Sequence, residues 1–330
     1  MLSKTHKNMP GLLVCLVIAM STNFLSDNYG GPQLLYALLI GLSLHFLYLN
    51  ETVKPGIDFC AKTVLRLGVA LLGIRITFSD ISAIGINTAL IVIFAVAATV
   101  CLGYFLAKFL KLSPDFGLIA GGSVGICGAS AALAVASVLP KTKENERFTL
   151  LVVVGVTVLS TIAMVVYPFA LQLLEVAALP AGIFLGATIH DVAQVVAAGM
   201  LFGPEAGDVA TVVKLFRVAL LLPVVLVISI FFGAEKSSQK MGWGSLRLIP
   251  TFLLGFVALS VIASMQILPS GVTQSIGGAS RWMLVIAIAA AGLKTNFQEL
   301  AKLGWQPVVM LVVETLFIAS IGLVFIANFE

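Results

Sequence analysis

Apolar residues recur along the chain in runs of about twenty, parted by short gaps that hold the charged side chains. The runs cover 11–25, 32–49, 57–74, 84–107, 117–139, 148–173, 181–202, 209–232, 249–268, 279–293 and 306–327. A hydrocarbon core about 30 Å thick takes roughly 20 apolar residues per helix, so this pattern predicts eleven membrane segments. The longest polar gap, Gly233 to Arg247, is too short for a domain, and no Pro-rich or Ser-rich linker divides the chain. The expectation is an all-α polytopic protein of about 9 to 11 segments, forming one transmembrane transporter domain over residues 1–330. Lys4 and Lys7 ahead of the first run, with Ala19-Met20-Ser21 behind it, also fit a signal peptide. Ten further segments favour an uncleaved first helix.

Composition removes the soluble alternative. Of 330 residues, 60% are hydrophobic and 10% charged, and 15 acidic with 19 basic side chains cannot coat a globule of this size in water. The net charge of +4 sits in the gaps and forms no basic face, so it implies no nucleic-acid partner. Lipid is the expected partner, a homodimer being left open. Cys15, Cys60, Cys101 and Cys127 lie within or beside apolar runs, with no CxxC pair and no His at ligand spacing. That predicts neither a disulfide framework nor a metal site, and nothing calls for a cofactor.

Loop charges constrain the topology. If all eleven segments cross, Lys141, Lys143 and Arg147 fall opposite Lys4, Lys7, Lys108, Lys111, Lys236 and Lys240, against the positive-inside tendency. If segments five and seven enter and return, or break in mid-membrane, that cluster joins the other cations on the cytoplasmic side with the N-terminus. The acidic loop holding Glu205 and Asp208 then stays outside. Both segments have a suitable composition: GGSVGICGAS at 121–130 and GATIHDVAQ at 186–194 are rich in Gly and small polar groups. Irregular backbone at membrane depth persists only where protein or a water-filled cavity satisfies it.

The chain also echoes itself. Gly73-Ile74-Arg75-Ile76-Thr77-Phe78-Ser79-Asp80-Ile81 aligns with Gly292-Leu293-Lys294-Thr295-Asn296-Phe297-Gln298-Glu299-Leu300 at an offset of 219, which also pairs Lys62 with Arg281 and Gly85 with Gly304. Each copy closes a short apolar stretch, and short or Gly-interrupted segments in matching places point to a transporter's binding site. The charge-based orientation puts Arg75 outside and Lys294 inside, as an inverted repeat requires. Segments five and seven, about 63 residues apart, do not share the offset.

The segments GGSVGICGASA, GATIHDVAQVVAAG, LLGIRITFSDI and AAGLKTNF resemble the signature segments of the YeiH-like family of bacterial inner-membrane proteins, proposed sulfate exporters, and the likeness covers nearly the whole chain. The resemblance implies a multi-pass inner-membrane protein with inverted repeats like those of the bile-acid symporter and cation/proton antiporter folds.

The residues themselves supply candidate chemistry. Ser123, Cys127 and Ser130 fall at i, i+4 and i+7, one polar stripe if helical, and Gly122, Gly125 and Gly128 around them expose backbone N–H groups to an oxyanion. The plainer account is close helix packing on small residues. Thr188, Asp191 and Gln194 follow at i, i+3 and i+6, with His190 placed to hold a proton beside Asp191. A pair that merely pins a broken helix is the alternative. Arg75 and Lys294 are the natural countercharges for an anion, unless they snorkel to headgroups as basic residues at span ends do. His45 reads as a satisfied core residue, and Arg66, Arg217 and Glu314 as partners for one another.

Two functions compete. One is a secondary exporter or exchanger of a small anion such as sulfate or another sulfur oxyanion, with proton participation through His190 and Asp191. The other is an intramembrane enzyme using that pair with Ser130 or Cys127, but neither a G-x-S-G nor an H-E-x-x-H motif is present. A departing dianion gains about 4.6 kcal/mol for each 100 mV of inside-negative potential, so export needs no coupling ion. Import would need at least two cations per dianion, and few carboxylates lie at depth to hold them. No G-x-x-x-x-G-K-[ST] loop offers ATP as a driver.

Overall fold

A computed structural model of the chain describes residues 2–29, 33–77, 82, 85–140, 142–232, 251–296 and 305–328. Among the described residues each predicted run is mainly helical, two of them with a break. In chain order these are α1 (Leu2–Tyr29), α2 (Gln33–Ser43), α3 (Lys54–Phe59), α4 (Leu65–Leu72), α5 (Gly85–Phe109), α6 (Pro114–Gly125), α7 (Ala129–Val138) and α8 (Lys143–Leu173). They continue with α9 (Ala178–Thr188), α10 (Val192–Phe202), α11 (Pro204–Ala219), α12 (Leu221–Phe232), α13 (Thr251–Ser264), α14 (Ser270–Lys294) and α15 (Trp305–Ala327). A π-turn at Cys60–Val64 joins α3 to α4, and a 3₁₀ turn at Gly73–Arg75 closes α4. Among the described residues six helices are long and apolar enough to cross a membrane, and no strand occurs. Their exposed side chains include Phe94, Phe105, Phe109, Leu150, Phe169, Leu316 and Val324, while Lys214, Arg217 and Glu314 are fully buried. That reverses the pattern of a water-soluble surface and suits a chain solvated by lipid.

The chain divides into two compact units, Met1–Ala83 with Thr251–Asn296, and Ile84–Pro250 with Phe297–Glu330. In the first, helices meet on small residues: a Cβ built at Gly41 would stand 2.5 Å from Ala289 O and 3.0 Å from Gly292 Cα. The 219-residue offset carries Gly41 onto Ser260 and Gly292 back onto Gly73, and the Ser260 hydroxyl donates to Gly73 O at 3.1 Å. The echo is thus a packing relationship as well as a pattern. The parts of it at Phe78–Ile81, Phe297–Leu300 and Gly304 lie outside the described residues, as do Lys141, Lys236 and Lys240.

In the second unit the two Gly-rich segments fold back on themselves. The first breaks at Ile126–Gly128, where Gly128 takes φ +65° and ψ −128°, a conformation open to glycine alone. A Cβ on Gly122 would lie 2.9 Å from Val135 Cγ2; thirteen residues of unbroken helix would hold these positions about 20 Å apart. α6 and α7 are therefore a hairpin. The second breaks at Ile189–Asp191, and Gly182 of α9 and Gly199 of α10 both abut Ala206 O, with ideal Cβ distances of 2.8 and 3.1 Å, so α9 and α10 form a second hairpin. Around the first hairpin Phe116, Ile119, Ile126, Val135, Val152, Leu311 and Ile318 make a continuous core.

Capping explains several boundaries. Ser113 accepts from Phe116 N ahead of Pro114, Thr142 accepts from Asn145 N, and Asp191 Oδ1 accepts from Ala193 N. Pro223, which has no N–H to offer, accounts for the interruption between α11 and α12 at Leu220. One expectation is corrected here: Glu205 and Asp208 lie in α11 itself, Glu205 in its first turn, because Gly203-Pro204 starts a helix where a loop was expected.

Candidate functional site

The two breaks meet. A Cβ on Gly128 would lie 3.7 Å from both the Cβ and the backbone oxygen of His190, so the hairpin tips are in contact. At each tip one half-helix ends, leaving carbonyls without intrahelical donors, and another begins, leaving N–H groups without acceptors. Two cations on α11 answer the carbonyls. Arg217 donates through Nε to Gly125 O at 3.0 Å, through Nη1 to Gly186 O and Ile189 O at 3.1 and 3.0 Å, and through Nη2 to Val124 O and Gly125 O at 2.9 and 2.7 Å. Every guanidinium N–H is used. Lys214, one turn earlier, donates to Ile126 O at 2.6 Å and Ile189 O at 2.9 Å. One lysine and one arginine thereby clamp both tips together.

The electrostatic sum at this junction is positive. Each half-helix end carries about half a unit charge, and two C-terminal ends cancel two N-terminal ones. Against these two bases stands one acidic side chain of the second break, Asp191. Among the described residues neither Lys214 nor Arg217 forms a salt bridge. Buried cations without ion-paired carboxylates make a centre that attracts anions.

The break rearranges the expected stripes. Ser123, Cys127 and Ser130 share no helix face, since α6 stops at Gly125; the Ser123 hydroxyl donates across the break to Gly128 O at 2.9 Å, and Gly128 N returns a bond to Ser123 O at 2.8 Å. Cys127 Sγ and Ser130 Oγ lie 3.0 Å apart, with Ser130 exposed at the start of α7. Gly122 faces Val135 inside the hairpin, whereas Gly125 packs outward against Val96 of α5. Thr188 bonds back to Phe184 O at 2.7 Å, and Gln194 reaches from the first turn of α10 to Thr161 Oγ1 at 2.7 Å while its own Oε1 is buried without a partner. Asp191 caps α10, and its N–H donates to Ser160 Oγ at 3.1 Å. His190 Nε2 lies 3.0 Å from Thr315 Oγ1, and because that hydroxyl donates to Leu311 O, the ring donates through Nε2. Among the described residues no hydrogen bond joins His190 to Ser130 or to Cys127, which bond each other.

Arg75 and Lys294 belong to the other unit. Arg75, with Thr77, Gln266 and Thr273, lines a cleft of about 340 Å³. Lys294 Nζ is 2.7 Å from Asp58 Oδ1 and lies over the Tyr48 ring. His45 is satisfied on one side only: Nδ1 bonds Leu293 O at 2.8 Å, and Nε2 has no partner. The expected pairing of Arg217 with Glu314 does not occur, as Arg217 spends its donors on carbonyls and Glu314 has no hydrogen-bond partner. The clamp formed by Lys214 and Arg217 was missed in the sequence. Its only signal there is two bases three residues apart inside an apolar run, the spacing that puts both on one helix face.

A family model described as conserved hypothetical protein 698 matches residues 10–311. The chain belongs to this family. It is 46% identical to the UPF0324 membrane protein CT0845 of Chlorobaculum tepidum over 316 residues, covering 95% of this chain and 88% of that protein. It is 45% identical to the UPF0324 membrane protein TauZ of Paracoccus pantotrophus over 311 residues, 94% of this chain and 92% of the relative. A third UPF0324 membrane protein, RB0971 of Rhizobium meliloti, is 43% identical over 310 residues, 94% and 90% of the two chains. Like these UPF0324 relatives, the chain is a multi-pass membrane protein.

Proposed function

We propose that this UPF0324 member is a secondary transporter, an exporter or exchanger of a small anion such as sulfate or another sulfur oxyanion, with residues 1–330 working as one transporter domain in a bacterial inner membrane. The supporting observation is the junction of two hairpin tips at two buried cations that lack ion-paired carboxylates among the described residues. Half-helix N-termini with bases beside them suit the N–H and charge needs of an oxyanion. In this reading Ser123, Cys127, Ser130, Thr188 and Gln194 supply polar contacts, Arg75 and Lys294 attract the anion, and His190 with Asp191 handles a proton. Lys214 is added to that set: its bonds to Ile126 O and Ile189 O leave one ammonium proton for a ligand.

Radiolabelled sulfate flux in proteoliposomes under an imposed potential tests the proposal. Saturable flux that follows the potential and is inhibited by competing oxyanions is the expected result. Flux no greater than in protein-free vesicles, for sulfate and for every competitor used as the labelled species, would overturn it.

A further inference from the structure

Glu314 is fully buried on α15, and neither of its carboxyl oxygens meets a donor. It is held where α5 and α6 cross on glycines: a Cβ built at Gly103 would stand 2.5 Å from Glu314 Oε1, 2.5 Å from Gly117 O and 2.9 Å from Gly121 Cα. Those glycines leave room that the carboxyl group occupies. The next residue, Thr315, carries the hydroxyl that meets His190 at 3.0 Å. An unpartnered acid and the contact to the second hairpin tip are therefore consecutive on one helix.

The titratable groups on the elements packed against α15 are few. α5 carries Cys101, Tyr104 and Lys108, the last lying over the Tyr104 ring. α6 carries Asp115, which accepts from Asn145. α8 carries Lys143, Glu144, Glu146 and Arg147 at its exposed start, and Tyr167 further on. α9 carries none, and His190 follows it. Lys214 and Arg217 of α11 direct their bonds to the tip carbonyls. None of these groups bonds either Glu314 oxygen.

We propose that Glu314 is a further proton-exchange site of this protein, in series with the proton handling assigned above to His190 and Asp191. A carboxylate with no donor and no ion-paired cation, enclosed by glycine backbone and apolar side chains, is strongly unfavourable, so in this arrangement the group carries a proton. Ionisation needs water or a donor at Oε1, which requires the glycine crossing of α5 and α6 to open. In that step the O–H bond breaks, the electron pair stays on the carboxylate and the proton passes to water. Proton release is thereby tied to a change in the helices that pack the first hairpin, and Thr315 ties the same helix to the second. A merely structural role at this position would be served as well by an apolar side chain of similar size.

The proposal rests on the transporter reading, and two readouts keep their failures apart. The first is infrared spectroscopy of the purified full-length protein near neutral pH. Wild type should show a protonated-carboxyl C=O band that shifts in D2O and is missing from Glu314→Gln; absence of such a band in the wild type overturns the proposal whatever the protein transports. The second is sulfate flux against pH. Where Glu314 titrates, the wild type should change by up to about tenfold per pH unit, the limit for one coupled proton, and Glu314→Gln should be flat. Wild-type pH dependence in folded Glu314→Gln would overturn the proposal. Should the wild type move no anion, the transport reading falls and the carboxyl is judged on the band alone, a band that never exchanges in D2O being the contrary result. The wild-type spectrum also carries the test if Glu314→Gln does not fold.

Discussion

Asp191 serves as a helix cap and as a charge, and two substitutions separate those roles. Asn caps as well as Asp, so Asp191→Asn should leave stability within about 0.5 kcal/mol, whereas Asp191→Ala should cost about 1 kcal/mol. If the charge supports a proton on His190, Asp191→Asn and His190→Gln will both alter the pH profile of flux per folded molecule; unchanged profiles in both would retire that role, and thermal unfolding recorded in parallel separates it from folding defects. Gly128 offers a second residue-level test. Its ideal Cβ would meet nothing closer than 3.7 Å, so Gly128→Ala is limited by backbone conformation alone and should destabilise by about 1–3 kcal/mol. Gly125→Ala, in helix with its nearest neighbour at 3.4 Å, should stay within about 1 kcal/mol, as chemical unfolding of both variants would show. At this scale the sequence disclosed residue types and little geometry. Gly-rich composition marked 121–130 as irregular, but which glycine takes positive φ depends on where the helix stops, and that is set by the meeting with His190 and by Arg217 holding the carbonyls of Val124 and Gly125.

The hairpins settle the sidedness of neighbouring ends. Because α6 and α7 return, the α5 end with Lys108 and Lys111 and the α8 start with Lys143 and Arg147 share one side, and α11 begins with Glu205 on the other. In a cysteine-free background, an impermeant maleimide should label Glu205→Cys in intact cells, and Lys111→Cys and Arg147→Cys only after permeabilisation. Equal external labelling of Glu205→Cys and Arg147→Cys would reject this topology. Charge alone had indicated the arrangement, because the positive-inside tendency acts on short loops whatever lies between them. What charge could not distinguish was a segment that turns back from one broken on its way across. That distinction lies in the contact of Gly122 with Val135, thirteen residues apart, which no local pattern encodes. The helical stripes failed for the same reason: a spacing of i, i+4 and i+7 defines a face only while the helix continues.

At the scale of the whole molecule, two substitutions test whether the first unit takes part in anion capture. Lys294→Gln and Arg75→Gln should lower sulfate flux by about tenfold while changing stability by less than about 1 kcal/mol, since a part-exposed ion pair such as Lys294–Asp58 contributes little. Asp58→Asn identifies the cause. Loss of flux there too would show that Lys294 acts through its ion pair, and normal flux in both cation variants would remove them from the site. The repeat was legible at this scale because its matched positions, Gly73 with Gly292 and Arg75 with Lys294, close equivalent helices, and its contact logic appeared only when Gly41–Gly292 and Ser260–Gly73 were seen to correspond. By itself the sequence determined the lipid environment, the apolar segments and the two irregular ones among them. These follow from transfer free energies and loop charge, which add up along the chain. Only the tertiary structure decided which buried cations hold the hairpin tips and that Glu314 stands without a partner. Both are outcomes of long-range pairing, in which Arg217 satisfies carbonyls about 92 residues distant and leaves a carboxyl elsewhere on its own.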